Sequence, residues 1–262
     1  MTSPTHGAWA LITGASSGFG IDFAKQLAER GYNLVLVARR AQAMETLAAQ
    51  LREKYACEIV IEAMDLAVPG AARVLKQGLD ARGISVDVLI NNAGYGLYGE
   101  FLAQPIERTL DMIQLDIATV TELTYLFGRD MVKRRQGHIL QIASIGAYQA
   151  SPTYAAYAAA KAYVLLFGEA LHEEFKPHGV TVTVLSPGVT ATGFLAAAGQ
   201  EASFYQRLVM MQSPEVVRIG LNALFAGRAS ILPGLINTLT AWSNRLTPRF
   251  LQRKLAHLFM NY

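Results

Sequence analysis

Short apolar runs alternate with helical segments over the first two thirds of the chain, and this alternation restricts the fold more than any other feature. The sequence predicts strands at 8–13, 33–38, 58–64, 86–90, 138–143 and 180–185. It predicts helices at 21–30, 42–55, 71–82, 106–134 and 153–176. The run 33–38 is apolar at nearly every position, as in strands that a parallel sheet buries on both faces. We therefore expect an α/β fold, a doubly wound parallel sheet flanked by helices.

Length and composition support one globular domain over residues 1–262. The chain is 52% hydrophobic and 16% charged, and we find no repeat, linker or low-complexity tract. The single cysteine, Cys57, excludes an internal disulfide and fits a reducing compartment, so we predict a cytoplasmic location. The N-terminus lacks the pattern of a secretory signal, and no apolar run of about 18 residues predicts a spanning helix. No metal site is predicted.

A glycine-rich loop lies between the first predicted strand and the first predicted helix. Gly14, Gly18 and Gly20 have the spacing G-x-x-x-G-x-G, and Ser16, Ser17 and Phe19 lie between them. Glycine lets the backbone approach a pyrophosphate, and the helix N-terminus supplies unpaired N–H groups. The loop is a variant of the dinucleotide-binding pattern, and the alternative is a turn that binds no ligand.

Two arginines follow the second predicted strand. An acidic residue at this place would bind the ribose 2′-hydroxyl of NAD, but the chain has Ala38, Arg39 and Arg40 there. Arginine side chains pair well with phosphate, so the sequence favours the 2′-phosphate of NADP(H). The alternative is two solvated arginines, although basic residues are mildly unfavourable at a helix start.

Tyr157 and Lys161 are four residues apart on a predicted helix and therefore share one face. Ser144 follows the preceding predicted strand. A tyrosine ionises near pH ~10, and we expect the lysine ammonium to lower the pKa of Tyr157 toward a range useful for acid–base chemistry. The tyrosine would give its proton to a developing alkoxide while the serine holds the oxygen. A Tyr-x-x-x-Lys pair alone is a weak indication, and its weight comes from the ordered set of motifs.

That ordered set resembles the short-chain dehydrogenase/reductase family over roughly residues 8–195. The matching residues are Thr13, Gly14, Gly18, Gly20, Asp65, Leu66, Asn91, Asn92, Ala93, Gly94, Ser144, Tyr157, Lys161, Pro187 and Gly188. The resemblance implies a Rossmann-like fold with about seven strands and a homodimer or homotetramer. It implies that Asp65 and Leu66 lie near the adenine and that Lys161 lies on the nicotinamide ribose. It also implies cofactor contacts at Asn91, Ala93, Gly94, Pro187, Gly188, Val189, Thr190 and Thr192.

One position departs from the family pattern. The family's catalytic asparagine commonly lies on the long fourth helix, where this chain has Asp116. Aspartate is similar in size but carries charge and lacks the amide donors. Three alternatives stay open: the proton relay tolerates Asp116, Asp116 pairs with Lys161 and alters the pKa of Tyr157, or activity is impaired. A purely structural aspartate is the further alternative.

The segment of about 189–215 corresponds to the family's substrate lid. It is apolar and includes Phe194, Phe204, Tyr205, Met210 and Met211. This composition favours an apolar ketone or aldehyde as substrate. Further pocket candidates are Tyr95, Leu97, Tyr98 and Tyr154. The alternative is that these side chains form core or subunit contacts.

The C-terminal segment is basic. Six basic and no acidic residues follow Glu215, and 247–262 is predicted to be an amphipathic helix that starts at Thr247 and Pro248. Such a helix packs on the domain or on a second subunit, or it lies on an anionic membrane as a peripheral contact. No nucleic-acid-binding module is recognised, so a nucleic-acid partner is not expected.

Together these features predict an NADP(H)-dependent oxidoreductase that reduces an apolar carbonyl compound, or runs in reverse. The competing hypothesis is a non-catalytic NADP-binding sensor or scaffold in which Asp116 disables the proton relay. Epimerisation and dehydration fit less well, because enzymes of those classes tend to be longer and to have a G-x-x-G-x-x-G loop. Loss of turnover in Tyr157→Phe with retained cofactor binding would distinguish the first two.

Overall fold

The computed structural model describes residues 7–200, 210–244 and 246–260. Its centre is a seven-stranded sheet in the order β3-β2-β1-β4-β5-β6-β9, in which every neighbouring pair is parallel. A second, two-stranded parallel sheet joins β7 to β8. The strands are β1 Trp9–Thr13, β2 Asn33–Ala38, β3 Ile59–Ala63, β4 Val86–Asn91, β5 Gly137–Ile142, β6 Val180–Leu185, β7 Thr190–Ala191, β8 Met211–Gln212 and β9 Ser230–Ile231. The predicted doubly wound fold is confirmed.

Helices cover both faces of the large sheet. They are α1 Phe19–Glu29, α2 Ala41–Lys54, α3 Ala71–Ala81, α4 Ile106–Ile113, α5 Val120–Arg134, α6 Ala155–Phe175, α7 Phe194–Ala198, α8 Ser213–Phe225, α9 Leu235–Ser243 and α10 Arg249–Met260. The predicted helix at 106–134 is interrupted, because a π-helical segment, Gln114–Thr119, separates α4 from α5. None of the helices described is both long enough and apolar enough to cross a membrane.

Successive side chains along each strand point to opposite faces of the sheet, and this divides the core into two layers. Ile12 and Leu36 point into one layer with α1, α2 and α8, whereas Leu11 and Val35 point into the other with α3 and α5. All four side chains are completely buried. Burying a side chain of this size stabilises the fold by roughly 1.5–3 kcal/mol. Apolar packing on both faces of the sheet therefore stabilises the fold.

The carboxyl ends of the strands define where a ligand can enter. The strand order reverses between β1 and β4, since β2 follows β1 on one side and β5 follows β4 on the other. In open parallel sheets the crevice beyond such a switch point binds ligands. The loops after β1, β2, β4, β5 and β6 therefore form the expected site.

Candidate active site

The loop after β1 leads directly into α1, which begins at Phe19. No side chain of the described chain caps this helix N-terminus, where the Gly20 and Ile21 N–H groups donate to the backbone carbonyls of Ser17 and Gly18. Gly20 has no room for a Cβ atom, because that atom would overlap the Gly14 carbonyl and the Ala15 backbone. The loop is thus folded tightly onto itself, and its helix N-terminus is suited to an anionic group.

Thr13 ties this loop to the loop after β4. Its hydroxyl donates to the Ile90 carbonyl at 3.2 Å and accepts from the backbone N–H groups of Asn92 and Ala93 at 2.9 Å each. The Asn92 amide in turn donates to the Thr13 carbonyl at 2.8 Å. From the sequence, Thr13 was expected only to match the family pattern. Its role depends on strand pairing, which the local sequence does not encode.

The two arginines after β2 lie beside the glycine loop. The Arg40 guanidinium donates to the Ser16 hydroxyl at 3.2 Å and to the Ser16 carbonyl at 3.0 Å. Arg39 lies 3.7 Å from Asp65, and three quarters of its side chain is exposed. Ser17 is exposed in the same loop. The residues predicted to select NADP(H) therefore form an exposed cationic edge next to the phosphate-binding backbone.

Other predicted cofactor residues divide between exposed and buried positions. Asp65 accepts from the Ala67 backbone N–H at 3.0 Å and keeps 41% of its side chain exposed. Leu66 is buried. The buried Asn91 amide donates to Thr124 and to Gln141, which places this side chain in the core behind the crevice. The central-sheet position that the resemblance implied for Asn91 is therefore observed, whereas its cofactor contact stays a prediction.

The loop after β6 crosses the crevice. Pro187 accepts a hydrogen bond from the Ile145 backbone N–H at 2.8 Å, and the Thr190 hydroxyl donates to the Gly188 carbonyl at 3.0 Å. Val189 continues this loop and accepts from the Met211 backbone N–H at 3.1 Å. A Cβ atom built on Gly18 would lie 3.5 Å from Thr192 Cβ, so the loop faces the glycine loop. These two loops enclose the space above β1 and β4.

Ser144, Tyr157 and Lys161 converge on this space from two elements. Ser144 follows β5, and its hydroxyl accepts from the Gly146 backbone N–H at 3.1 Å and hydrogen-bonds Tyr157. Lys161 is buried on α6, and its Nζ lies 5.7 Å from the centre of the Tyr157 ring. One ammonium proton is donated to the Ile142 carbonyl at 3.2 Å. The carbonyl of β5 thus fixes the lysine, a contact that sequence reasoning missed.

Asp116 completes the group. It lies on the π-helical segment, is fully buried, and places Oδ2 3.1 Å from Lys161 Nζ. Burial raises the pKa of Asp116, and this effect is opposed by the Lys161 charge and by the Tyr95 backbone N–H. A Cβ atom on Gly94 would lie 2.6 Å from Asp116 Oδ1 and 3.1 Å from Lys161 Nζ. Gly94 therefore leaves room for the ion pair, which is a reason for glycine that sequence alone did not give.

The pKa of Tyr157 does not follow the sequence-based expectation. Burial raises the pKa of Tyr157, and the nearby Asp116 charge raises it further, while the hydrogen bond with Ser144 opposes both. The prediction that Lys161 lowers this pKa is therefore wrong in this structure. The main physical reason is the burial of the phenol, and the Asp116 charge beside the ammonium group adds to it.

Aromatic side chains form one wall beside Tyr157. The Phe194 ring lies 5.3 Å from the Tyr157 ring and the Tyr154 ring 5.7 Å from it, measured between centroids. Tyr98 lies 5.4 Å from Tyr154, whose hydroxyl donates to Gln200 at 2.7 Å. Such spacings are typical of favourable aromatic contacts. These rings make the surroundings of Tyr157 largely apolar.

The remaining pocket candidates have mixed outcomes. Leu97 is buried, whereas the Tyr95 hydroxyl donates to the Arg108 carbonyl at 2.8 Å. Met210 and Met211 are half-buried next to the lid strand β8. Phe204 and Tyr205 lie outside the described residues, so their predicted place in the lid stays a prediction.

Comparisons with known proteins agree with this geometry. The family model for short chain dehydrogenase matches residues 8–203. A very-long-chain 3-oxoacyl-CoA reductase of Pyrenophora tritici-repentis is 35% identical over 191 residues, which are 71% of this chain and 56% of that protein. The chain thus spans about half the length of that relative.

Two solved structures share the fold over more than nine tenths of both chains. A short-chain dehydrogenase from Sphingobium yanoikuyae in complex with NADPH is 30% identical, with a TM-score of 0.81, and covers 91% of this chain and 94% of its own. A bulky-bulky ketone specific alcohol dehydrogenase from Comamonas testosteroni is 29% identical, with a TM-score of 0.78, and covers 92% and 94%.

Proposed function

This chain belongs to the short-chain dehydrogenase family, and we propose that it is an NADP(H)-dependent reductase of apolar ketones or aldehydes. The observation that carries the proposal is the convergence of Ser144, Tyr157 and Lys161 at the switch-point crevice, next to a helix N-terminus without a side-chain cap. A hydroxyl, a phenol and an ammonium in this order suit proton transfer to a carbonyl oxygen.

The residues of the crevice fit a phosphorylated dinucleotide. The N-terminus of α1 would hold the pyrophosphate, and Arg39, Arg40 and Ser16 would hold the 2′-phosphate. The NADPH complex of the Sphingobium yanoikuyae enzyme supports this choice of cofactor. When bound, NADPH supplies the hydride that reduces the carbonyl carbon. Lys161 has one ammonium proton on Ile142 and one toward Asp116, which leaves a third for the nicotinamide ribose.

Tyr157 is the proton donor in this proposal. Ser144 donates a hydrogen bond to the substrate carbonyl oxygen and so places that oxygen next to the phenol. Tyr157 gives its proton to the oxygen as the carbonyl becomes an alcohol. A tyrosine that ionises near pH ~10 or above is in its phenol form at neutral pH, so Tyr157 can donate its proton in the resting site. Solvent then returns the proton to the phenolate.

The aromatic wall supports an apolar substrate. Phe194 and Tyr154 lie against Tyr157 and would contact whatever group is attached to the carbonyl carbon. Two of the similar proteins carry names that refer to 3-oxoacyl-CoA and to bulky ketones, which are carbonyl compounds with large apolar parts. We therefore include aryl ketones, bulky aliphatic ketones and long-chain 3-oxoacyl thioesters in the substrate panel.

We also propose a homodimer or homotetramer. Leu110, Ile113, Tyr125 and Leu166 are exposed along α4, α5 and α6. Large exposed apolar side chains on long helices are typical of subunit interfaces. Sedimentation or light scattering of the full chain gives the assembly directly.

The decisive experiment compares wild type with Tyr157→Phe. Purified protein is assayed for NADPH and NADH oxidation with the substrate panel, and NADPH binding is measured separately by fluorescence. We expect turnover to prefer NADPH and to fall about 10²–10⁴-fold in Tyr157→Phe, since the phenol proton is lost, while binding is retained. Tyr125→Phe is the matched control, because Tyr125 is exposed on α5 and remote from the crevice.

Two outcomes would contradict the proposal. NADPH binding without turnover on the whole panel would favour the non-catalytic sensor or scaffold. Equal turnover in wild type and Tyr157→Phe would remove Tyr157 from the mechanism.

A further inference from the structure

Helix α9 presents its apolar side to solvent. Leu235, Ile236, Leu239 and Trp242 are 76%, 55%, 56% and 58% exposed. Their spacing of i, i+1, i+4 and i+7 places them within an arc of about 120° on the helix. The opposite side is buried and contains the polar Asn237 and the small Ala241. An ordinary surface helix has the reverse arrangement, with its apolar side on the core.

Two further large side chains extend this surface into the following turn and helix. Leu246 is 71% exposed and Phe250 is 59% exposed. We refer to these six residues as the C-terminal apolar face: Leu235, Ile236, Leu239, Trp242, Leu246 and Phe250. Soluble proteins rarely leave so many large apolar side chains exposed in one region unless a partner covers them.

The charged side chains of the segment that carries this face have one sign. Arg249, Arg253 and Lys254 are exposed on α10, and the chain has no acidic residue after Glu215. A partner that covers the face should therefore be apolar where it meets Leu239 and Trp242, and anionic where it meets the arginines and the lysine.

We propose that the C-terminal apolar face docks onto the surface of a membrane that contains anionic lipids. Leucine, phenylalanine and tryptophan insert at the boundary between headgroups and acyl chains, and basic residues stay with the anionic headgroups. A twofold contact between two copies is the weaker alternative. It would bring identical cations together without an acidic residue in 216–262 to pair with them.

Docking would place the substrate pocket close to the lipid surface. Asn237, on the buried side of α9, lies directly against Gly188 in the loop above the crevice. This second step rests on the proposed function, because it assumes an apolar substrate that enters from the lipid phase. The docking itself does not depend on catalysis and is tested without a substrate.

Tryptophan fluorescence gives a local test, since the chain has only Trp9 and Trp242. Trp9→Phe leaves Trp242 as the single reporter. We expect its emission to shift to shorter wavelengths on vesicles of phosphatidylcholine with about 30 mol% phosphatidylglycerol. The shift should be much smaller on pure phosphatidylcholine and should decrease at about 1 M salt, which screens charge.

Vesicle flotation of the full chain identifies the residues. The double variant Leu239→Ser/Trp242→Ser and the double variant Arg249→Gln/Arg253→Gln should each reduce the bound fraction about tenfold. The matched control is Val74→Ser/Leu102→Ser, which removes two exposed apolar side chains from other regions and should float like wild type. Circular dichroism and NADPH binding of each variant establish that it is folded.

Three results would overturn the proposal. Wild type could fail to float with anionic vesicles, or Leu239→Ser/Trp242→Ser could float as well as wild type. In the third, wild type is an oligomer, Leu239→Ser/Trp242→Ser is dissociated, and both bind vesicles equally well. That result would show that the face contacts a second copy of the chain. Each of these can occur whether or not the protein reduces a carbonyl compound, so failure of docking and failure of the proposed function are distinguishable.

Discussion

A buried carboxylate beside the lysine distinguishes this site at the scale of single residues. Asp116 occupies the place where the family commonly has asparagine, and it lies 3.1 Å from Lys161 with no exposure to solvent. An asparagine would leave the ammonium charge undiminished at Tyr157. With aspartate that charge is offset, and the Asp116 charge adds to the effect of burial in raising the pKa of Tyr157.

The substitution Asp116→Asn should stabilise the protein at neutral pH. Burial raises the pKa of Asp116 above its ordinary value of 3.8, so the folded state binds this proton more tightly than the unfolded state does. A raised carboxyl pKa contributes stability that is complete below the ordinary value and is lost as the pH rises. Asparagine does not ionise and avoids that loss. Its advantage over wild type should therefore grow from about pH 4 upward.

Thermal unfolding of wild type and Asp116→Asn from about pH 4 to pH 8 measures this difference. Asp111→Asn is the control, because Asp111 is exposed on α4 and its replacement should leave the unfolding temperature nearly unchanged. A wild type that is the more stable protein at neutral pH would show that the ion pair outweighs the cost of burial.

At the scale of elements, we expect the connection after β2 to determine cofactor preference. Arg40 precedes α2 and donates to Ser16, so a hydrogen bond joins this connection to the glycine loop. Replacing Arg39 and Arg40 by alanine should raise the KM for NADPH about 10–100-fold, the effect of losing a charged hydrogen bond. The KM for NADH should change little.

Arg218→Ala is a matched control, since Arg218 is exposed on α8 and away from the crevice. Steady-state kinetics with both cofactors decide the question. Equal losses for NADPH and NADH would mean that the arginines hold the loop in shape and do not read the 2′-phosphate.

Elements differ in how far the sequence predicts them. The strands at 33–38 and 180–185 were predicted to the residue because both faces of each are buried, so almost every position has an apolar or β-branched side chain. The two-residue strand β9 has no such run, and it forms only because β6 is there to pair with it. The π-helical segment escaped prediction because its periodicity is close to that of its α-helical neighbours.

The candidate site also has features that the sequence predicted and features that it did not. Residue types and order identified the glycine loop, Ser144, Tyr157 and Lys161, and the structure brings them to one crevice. Hydrogen bonds between residues far apart in the sequence were not predictable. Examples are the bond from the Ala93 N–H to the Thr13 hydroxyl and the bond from Lys161 to the Ile142 carbonyl. The apolar face of α9 was not predicted either, because a stripe of leucines indicates a helix but not which side of it meets the core.

At the scale of the whole molecule, loops from most strands of the sheet line the crevice. Cofactor binding should therefore stabilise the folded chain as a whole. The loops after β1, β2, β4, β5 and β6 belong to strands spread across the sheet, and the unfolded chain has no such crevice. A ligand that binds only the folded state stabilises it by about 2.7 kcal/mol at a concentration of 100 times its Kd. In a protein of this size that corresponds to a rise in Tm of about 5–10 °C.

We expect this rise with NADPH and a smaller one with NADH at equal concentration, measured by thermal unfolding at fixed protein concentration. Tyr157→Phe should keep the NADPH effect, because the phenol proton takes part in proton transfer and not in binding. The Arg39→Ala/Arg40→Ala variant should lose the difference between the two cofactors. An unchanged Tm of wild type with saturating NADPH would show that the crevice does not bind the dinucleotide, and it would contradict the proposed function at its first step, before any substrate is chosen.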